Sequence, residues 1–388
     1  MATYYAINAG GNFSAGGTWS TTATKDATRT GGATAPTNAD TCILDDYSGA
    51  VTVDHTTACL CKILDCTSNG NYASTLTFTA AKVLFVSGNV IFSATMTIAG
   101  TGTLTINAAC ALTPGVTFTG SVSLAGTTVT LGADWTITGS LTSASGTNVM
   151  NGNTCYIGGS LTATVALSGT TTLVMNGTGT ISGTGTICNN LTVTGSCNLS
   201  QLFYQTGTFN CSGGTILGTG RFYVIGSMTF NTGTRKIPDI YIYSICTITL
   251  QSKLICGDFS SSAYPLTLSG YYDFTVDTFR GCSASVSRAL IFVSGTTVTI
   301  NNLAWIVNGK VVTNVLLTMS SSTPSNPFYL KYLGTPGNSF FAGISFTDVD
   351  ASGSTYEIKN YNGPATVRCQ NIKSVTLPVI PSSVSIGG

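Results

Sequence analysis

From Val86 to Phe230 apolar residues alternate with Thr, Ser or Asn in short runs, and a turn holding Gly or Asn opens each run. The runs read VSGNVIF, GTGTLTI, FTGSVSL, ITGSLTS and IGGSLTA, then ISGTGTI, NNLTVTG and GSMTF. Alternation rich in β-branched side chains predicts strands with one buried face. Gly88, Gly102, Gly120, Gly139 and Gly159 anchor the first five copies; the first interval is short and the next three are nearly equal. This is self-similarity without identity. A strand-and-turn unit of about 20 residues cannot bury its own apolar face, so it must stack on its neighbours. The pattern predicts an all-β right-handed parallel β-helix with coils about 4.8 Å apart. Its hand follows the general preference of parallel crossovers. Gly and Asn are expected to supply positive-φ corners. The rival is an antiparallel array with a hairpin at each Gly turn. No helical period and no heptad repeat is found.

The ends differ from the middle. Residues 1–48 read as a lead-in and cap, with Trp19 and its neighbours closing the apolar end of the stack. The loop from Ser20 to Ala35 carries Lys25, Asp26 and Arg29 and is expected to be solvated. Residues 49–66 predict two strands, with Val51, Val53, Leu60 or Cys61, and Ile63 inward. The solenoid is expected over 49–312, and a β-rich carboxyl-terminal region with capping elements over 313–388. The texture changes at Arg221: 18 of the 29 charged residues lie from there onward, and eight of the ten prolines follow it. Tyr241, Tyr243, Phe259, Tyr264, Tyr271, Tyr272, Phe274 and Phe279 cluster there.

Charge narrows the function. Asp134 is the sole charge between Lys82 and Arg221, and the net charge is +1. Thr, Ser and Asn replace the charges that ordinarily solvate a surface. Nothing steers the chain to nucleic acid or to an anionic membrane. No basic and apolar leader opens the sequence, and no run approaches a transmembrane span. Thirteen cysteines lack any CxxC pair. Cys59 and Cys61 share a strand face, and Cys110, Cys155, Cys188, Cys197 and Cys211 lie in or beside the repeats. They read as free thiols filling a core.

Two motifs carry a resemblance. The opening has Tyr4, Tyr5, a Gly-rich loop and Trp19, then Ala35-Pro36-Thr37 and Ala39-Asp40-Thr41, with Asp45 and Gly49 after them. Late in the chain Leu317-Thr318-Met319-Ser320-Ser321-Ser322 and Pro327-Phe328 precede Ile344-Ser345-Phe346-Thr347-Asp348-Val349-Asp350-Ala351. Together they resemble the start and final coils of β-helical structural proteins of bacteriophage virions. The resemblance implies a tail fibre, tailspike or head fibre, often a homotrimer.

Catalytic constellations are sparse. His55 is the single histidine, no G-x-S-x-G elbow occurs, and one histidine cannot build a His-rich metal site. G-x-G recurs at Gly100/Gly102, Gly177/Gly179, Gly183/Gly185 and Gly218/Gly220 but never opens a phosphate-binding helix. Neither a metal nor a cofactor is expected. Glycoside cleavage needs two carboxyl groups roughly 5 to 9.5 Å apart. The long stretch between Asp134 and Asp239 holds no acid. One candidate set is Asp258, Asp273 and Asp277 with Arg280. The other is Asp348, Asp350 and Glu357, with Asp348 and Asp350 on one strand face if FTDVD is extended. Tyr264, Tyr271, Tyr272 and Arg280 are the candidate ligand-binding residues. The expectation is a non-enzymatic structural and host-attachment appendage of the virion, made in the host cytoplasm. Its expected partners are itself, as a homo-oligomer with contacts in 221–388, other virion proteins and host-surface glycan. A polysaccharide-cleaving spike is the alternative. A cellular adhesin fits less well without an export signal.

Overall fold

The computed structural model describes residues 1–126, 128–149, 151–169, 172–184, 186–187, 190–200, 202–261, 264–283, 288–308, 317–361 and 366–375. The expected boundary at 312, Gly185 and Cys188 lie outside the described residues. The chain is all-β, with parallel strands stacked into a β-solenoid of about 14 turns. The helical elements described are two 3-10 turns, at Gly16–Thr18 and Pro336–Asn338. Two compact units divide it: residues 1–204 with 213–218, and residues 205–212 with 219–388.

In the amino-terminal unit most coils carry three short strands. One coil runs through Val90–Ile91, Thr97–Gly100 and Thr103–Ile106, and the next begins at Cys110–Thr113. Each strand pairs with its counterpart one coil away: Val90 faces Leu112, Thr103 faces Ser121, and Leu141 faces Leu161. One nine-stranded face extends from Cys59–Cys61 to Thr215–Leu217, all parallel. That pairing excludes the hairpin array. Alternation puts Leu84, Leu104, Val122, Leu141, Leu161 and Ile181 in one inward column, each at most 1% exposed. Threonine and serine occupy the outward positions between them. Their hydroxyls satisfy the next coil: Ser140 and Ser160 donate backbone N–H to the Oγ of Ser121 and Ser140, at 3.2 and 3.0 Å.

The glycine repeat marks a corner, for a different reason than expected. Gly102, Gly120, Gly139, Gly159 and Gly179 stack, and none of them has a positive φ. A Cβ on Gly120 would sit 2.0 Å from the Gly102 carbonyl oxygen, and one on Gly139 would sit 2.4 Å from that of Gly120. Close approach of one backbone to the next selects glycine here. Gly88 is not in this column; its neighbour is the Lys62 carbonyl at a different corner. This explains the short first interval of the repeat.

The start of the chain forms the expected cap. Thr3–Ala6 pairs in parallel with Thr41–Ile43 on one side. On the other it pairs with Trp19–Ser20, the sole antiparallel strand pair described. A two-residue antiparallel strand ends the parallel ladder and blunts its edge. Trp19 is fully buried, edge-on to Phe13 at 4.9 Å, and donates its indole N–H to the Phe13 carbonyl at 2.8 Å. The loop after it is not uniformly solvated. Arg29 is buried, donates to both Asp45 carboxylate oxygens at 2.8 and 2.7 Å, and lies between the rings of Tyr5 and Tyr47. In residues 49–66, Val51, Val53 and Cys61 point inward as expected, but Leu64 rather than Ile63 is the buried residue of its strand.

In the carboxyl-terminal unit the strands lengthen and the core becomes aromatic. Leu254–Ser261, Phe274–Ser283 and Thr297–Asn308 pair in parallel, with a register shift at Val276/Thr278. Phe259 stacks on Phe279 at 5.4 Å and meets Phe274 edge-on at 4.9 Å. Parallel pairing continues from Leu317–Ser321 to Ile372–Val375. Across both units the described cysteine side chains are unpaired, and all but the half-buried Cys369 are buried. Burial pushes the Cys155 thiol up to about 12 and the Cys197 thiol up to about 11, as fits core filler.

Candidate functional site

Register builds the site. In the carboxyl-terminal unit Phe222, Ile240, Phe259 and Phe279 point inward and are at most 1% exposed. Their neighbours in sequence therefore face out. Arg221 pairs with Asp239, and Tyr223 with Tyr241. Tyr241 then pairs with Ser260, and Ser260 with Arg280. Successive coils thus bring four tyrosines and four charges to one outer strip.

The rings of Tyr223 and Tyr241 stack at 5.5 Å with 17° between planes. Tyr243 meets Tyr223 edge-on at 5.8 Å and reaches Tyr264 at 6.4 Å. The Arg221 guanidinium lies over Tyr241 at 4.9 Å and 3.9 Å from the Asp239 carboxylate. Asp239 accepts the Asp258 backbone N–H at 2.8 Å. Asp258 lies 3.5 Å from Arg280. Burial raises the Tyr241 phenol, with Asp239 and Asp258 adding and Arg221 and Arg280 opposing. The phenol is therefore a neutral donor at neutral pH. The strip offers aromatic faces, phenol hydroxyls and fixed charges of both signs.

Two of the expected ligand-binding residues, Tyr264 and Arg280, belong to this strip. Tyr271 and Tyr272 sit in the turn after Leu266–Ser269, 85% and 46% exposed, and among the described residues no ring contact links them to the strip. Arg221, Tyr223 and Asp239 escaped the sequence reading. Their signal was present: Arg221 to Asp239 and Tyr223 to Tyr241 are each separated by one coil length of chain.

The candidate carboxylates are held by other groups. Asp258 pairs with Arg280, and Asp273 accepts the Thr297 N–H at 2.8 Å. Asp277 pairs with Lys236 and accepts from the Asn301 amide at 3.0 Å. Burial pushes Asp277 up, but Lys236 and Asn301 outweigh it, and the carboxyl stays below its usual range. Asp348 accepts from Nε and one terminal nitrogen of the Arg368 guanidinium, which hold it low. FTDVD is not one extended strand. Asp348 has φ 55° and separates Ile344–Thr347 from Val349–Asp350, so the expected shared face does not form. Asp350 accepts the Ser352 N–H at 2.9 Å. Glu357 lies apart from these, in the wall of a cleft with Tyr356, Lys359 and Tyr361.

His55 and Asp54 each accept backbone N–H groups. His55 is exposed, and its Nδ1 accepts the N–H groups of Thr57 and Ala58 at 3.2 and 3.1 Å, closing a turn. Its neighbour Asp54 accepts from the backbone and hydroxyl of Ser14. Among the described residues no group of three or more His, Cys, Asp or Glu could hold a metal ion, and no helix is long and apolar enough to cross a membrane. No protein-family model, curated protein or solved structure matches the chain.

Proposed function

We propose that the chain is a structural and host-attachment component of a bacteriophage particle, a fibre or spike that binds by its surface and performs no catalysis. The carrying observation is the outward Tyr–Arg–Asp strip on the carboxyl-terminal unit. The parallel ladder fixes the backbone beneath these side chains, and their own ring stacking, cation–π and ion-pair contacts restrain the rotamers, so less freedom is lost on binding. The opening and late motifs described above support the phage assignment. The partners are host-surface glycan at the strip, other virion proteins, and further copies of the chain in a homo-oligomer, most simply a homotrimer. Ile245 and Tyr271, 73% and 85% exposed, are the kind of solvent-facing apolar groups that such an assembly buries.

The carboxylates favour binding over cleavage. A general acid of a glycosidase needs a raised pKa. Asp277 and Asp348 are shifted the other way by the cations beside them.

Immunogold labelling of intact particles tests the virion assignment; absence of label from purified particles would overturn it. Binding to host cells is expected to fall when Tyr241→Ala and Arg280→Ala are combined. Unchanged binding would remove the strip from the reading. Incubation with host capsule or lipopolysaccharide is expected to release no oligosaccharide. New reducing or unsaturated ends would replace attachment with depolymerisation.

A further inference from the structure

Glu357 is the chain's one glutamate, and its position is unusual. Every aspartate holds a hydrogen bond or ion pair within the chain, whether to a loop or to the next coil. Examples are Asp65 with Ser68, Asp134 with Thr154, Asp239 with Asp258 and Asp273 with Thr297. Among the described residues Glu357 has no such partner, nor do the ammonium groups of Lys359 and Lys373. Glu357 and Lys359 line a cleft of about 470 Å³ with Gly337, Ser339, Tyr356 and Tyr361. A second hollow of about 270 Å³ adjoins it through Tyr356 and is lined by Asn301, Asn302, Thr335, Asn338 and Thr355, with Leu333 and Gly334. The larger volume falls within the range of about 300–1,000 Å³ that ligand pockets occupy.

The walls are fixed in advance. Tyr332 is buried, and its hydroxyl reaches the carbonyls of Asn302 at 3.1 Å and Thr335 at 2.7 Å. This ties the Leu333–Asn338 loop to the strand beside it. A Cβ on Gly334 would lie 2.3 Å from the Asn302 carbonyl oxygen and 2.4 Å from the Tyr332 hydroxyl, so the loop can approach only as glycine. The opposite wall hangs from Phe328–Tyr332, the strand that carries Tyr332: Ser354 Oγ donates to the Leu330 carbonyl, and Thr355 N–H to that of Tyr332. Asn371 donates to the carbonyls of Ala351 and Tyr356. Tyr361 is steadied by stacking on Phe340 at 5.5 Å. A wall held this way loses little freedom when a ligand enters.

We propose that this paired cleft binds a neutral, polyhydroxylated ligand, a glycan segment of two or three sugar rings. The lining selects that chemistry. Planar amides, a carboxylate and an ammonium match vicinal hydroxyls, which both donate and accept. The exposed Tyr356 ring and the Tyr361 ring offer apolar faces to the C–H side of a sugar ring. Glu357 and Lys359 cancel in charge, so neither an anion nor a cation is favoured as a whole. Among the described residues no second acid lines either hollow, and two are needed to cleave a glycosidic bond. The site therefore retains its ligand intact. It is separate from the Tyr–Arg–Asp strip and stands whether or not the chain belongs to a virion.

The test is saturation-transfer NMR and calorimetry on the full chain with a panel of trisaccharides. The panel contains neutral hexose, N-acetylhexosamine and deoxyhexose trimers, and a uronic acid trimer as the anionic arm. At least one neutral trimer is expected to bind, with millimolar or tighter affinity. Tyr356→Ala and Glu357→Gln, both at exposed positions, are each expected to weaken that binding about tenfold or more, equivalent to the loss of about 1.4 kcal/mol. Tyr356→Phe keeps the ring and is expected to retain most of it. Circular dichroism of each variant establishes that the fold is intact. Silence of all neutral trimers, tighter binding of the uronic acid trimer, or binding indifferent to both substitutions overturns the proposal. Tyr241→Ala is expected to leave this binding unchanged, which separates its failure from that of the attachment strip.

Discussion

The two units use the same parallel ladder and dress it differently. In the amino-terminal unit the outward columns are hydroxyls, as at Ser121, Ser140 and Ser160, and the inward ones are mainly aliphatic. In the carboxyl-terminal unit the outward columns carry Tyr223, Tyr241, Arg221, Asp239 and Arg280, and the inward ones stack Phe259, Phe274 and Phe279. Backbone hydrogen bonds hold the coils in both. What differs is the part of the side chain left over. A serine spends its hydroxyl on the next coil's N–H and has little left for a partner. A tyrosine on the same lattice keeps a ring face and a hydroxyl in solvent. The lattice thus holds the coils together, and the outward residue type decides which groups are left exposed on them.

The largest effect is expected in the aromatic core. Phe259→Ala should destabilise the carboxyl-terminal unit by about 3–5 kcal/mol, because two ring contacts and the packing around them are lost. Leu161→Ala in the aliphatic column should cost about 2–5 kcal/mol. Urea unfolding followed by circular dichroism ranks the two. A larger loss at Leu161 would break the distinction between the cores.

Next is the cap. Arg29→Ala should cost about 3–5 kcal/mol, since it leaves Asp45 buried and unpaired. Burial alone would raise Asp45, but Arg29, Ser48 and Asn69 outweigh it and hold the carboxyl below its ordinary value. Its folded-state pKa is thus depressed. The stability it contributes is fully present above the unfolded value of about 3.9 and is lost as pH falls through the folded value. Unfolding midpoints measured downward from neutral pH should fall through that window in the native chain. If they track those of Arg29→Met, the pair is not what anchors the cap.

A smaller effect tests the corner column. Gly159→Ala places a Cβ 2.8 Å from the Gly139 carbonyl carbon and should cost about 1–3 kcal/mol. Gly17→Ala meets nothing within 4 Å and should stay within about 0.5 kcal/mol of the native chain. Equal thermal midpoints for the two would remove close approach as the reason for glycine.

The smallest effects separate lattice from surface most sharply. Ser140→Ala removes the acceptor for the Ser160 N–H and should cost about 1 kcal/mol. Arg280→Ala removes a solvent-exposed ion pair and should change stability by about 0–1 kcal/mol while lowering attachment. A reversed order would mean that the outer charges stabilise the carboxyl-terminal coils.

Much of this was legible in the alternation. The strands at Thr103–Ile106, Ser121–Leu124 and Leu141–Ser143 follow directly from one apolar residue in every two. The corner glycines Gly102 to Gly159 were visible as a repeat, yet their cause was not. A nearly regular spacing shows that positions recur, while the distance of a carbonyl from the coil above emerges only once the coils are stacked. Arg29 is the converse case. A lone arginine among Ser, Thr and Gly reads as solvated, because its partner Asp45 and its flanking rings Tyr5 and Tyr47 come from separate stretches of chain.

The period, the strand class, the two textures and the poverty of catalytic groups follow from residue type and near-neighbour spacing alone, so the bare chain carries them. Which side chains meet is a matter of tertiary packing. Coil lengths vary: Thr103 pairs with Ser121, whereas Leu64 pairs with the more distant Val90, so register cannot be counted along the chain. Only hydrogen bonding between coils sets Tyr223 on Tyr241 and Ser260 beside Arg280. The same register assigned the candidate aspartates to Arg, Lys and backbone partners. Glu357 faces an open cleft whose neighbouring loop is held in place by the Tyr332 hydroxyl, a contact that exists only once the coils are stacked.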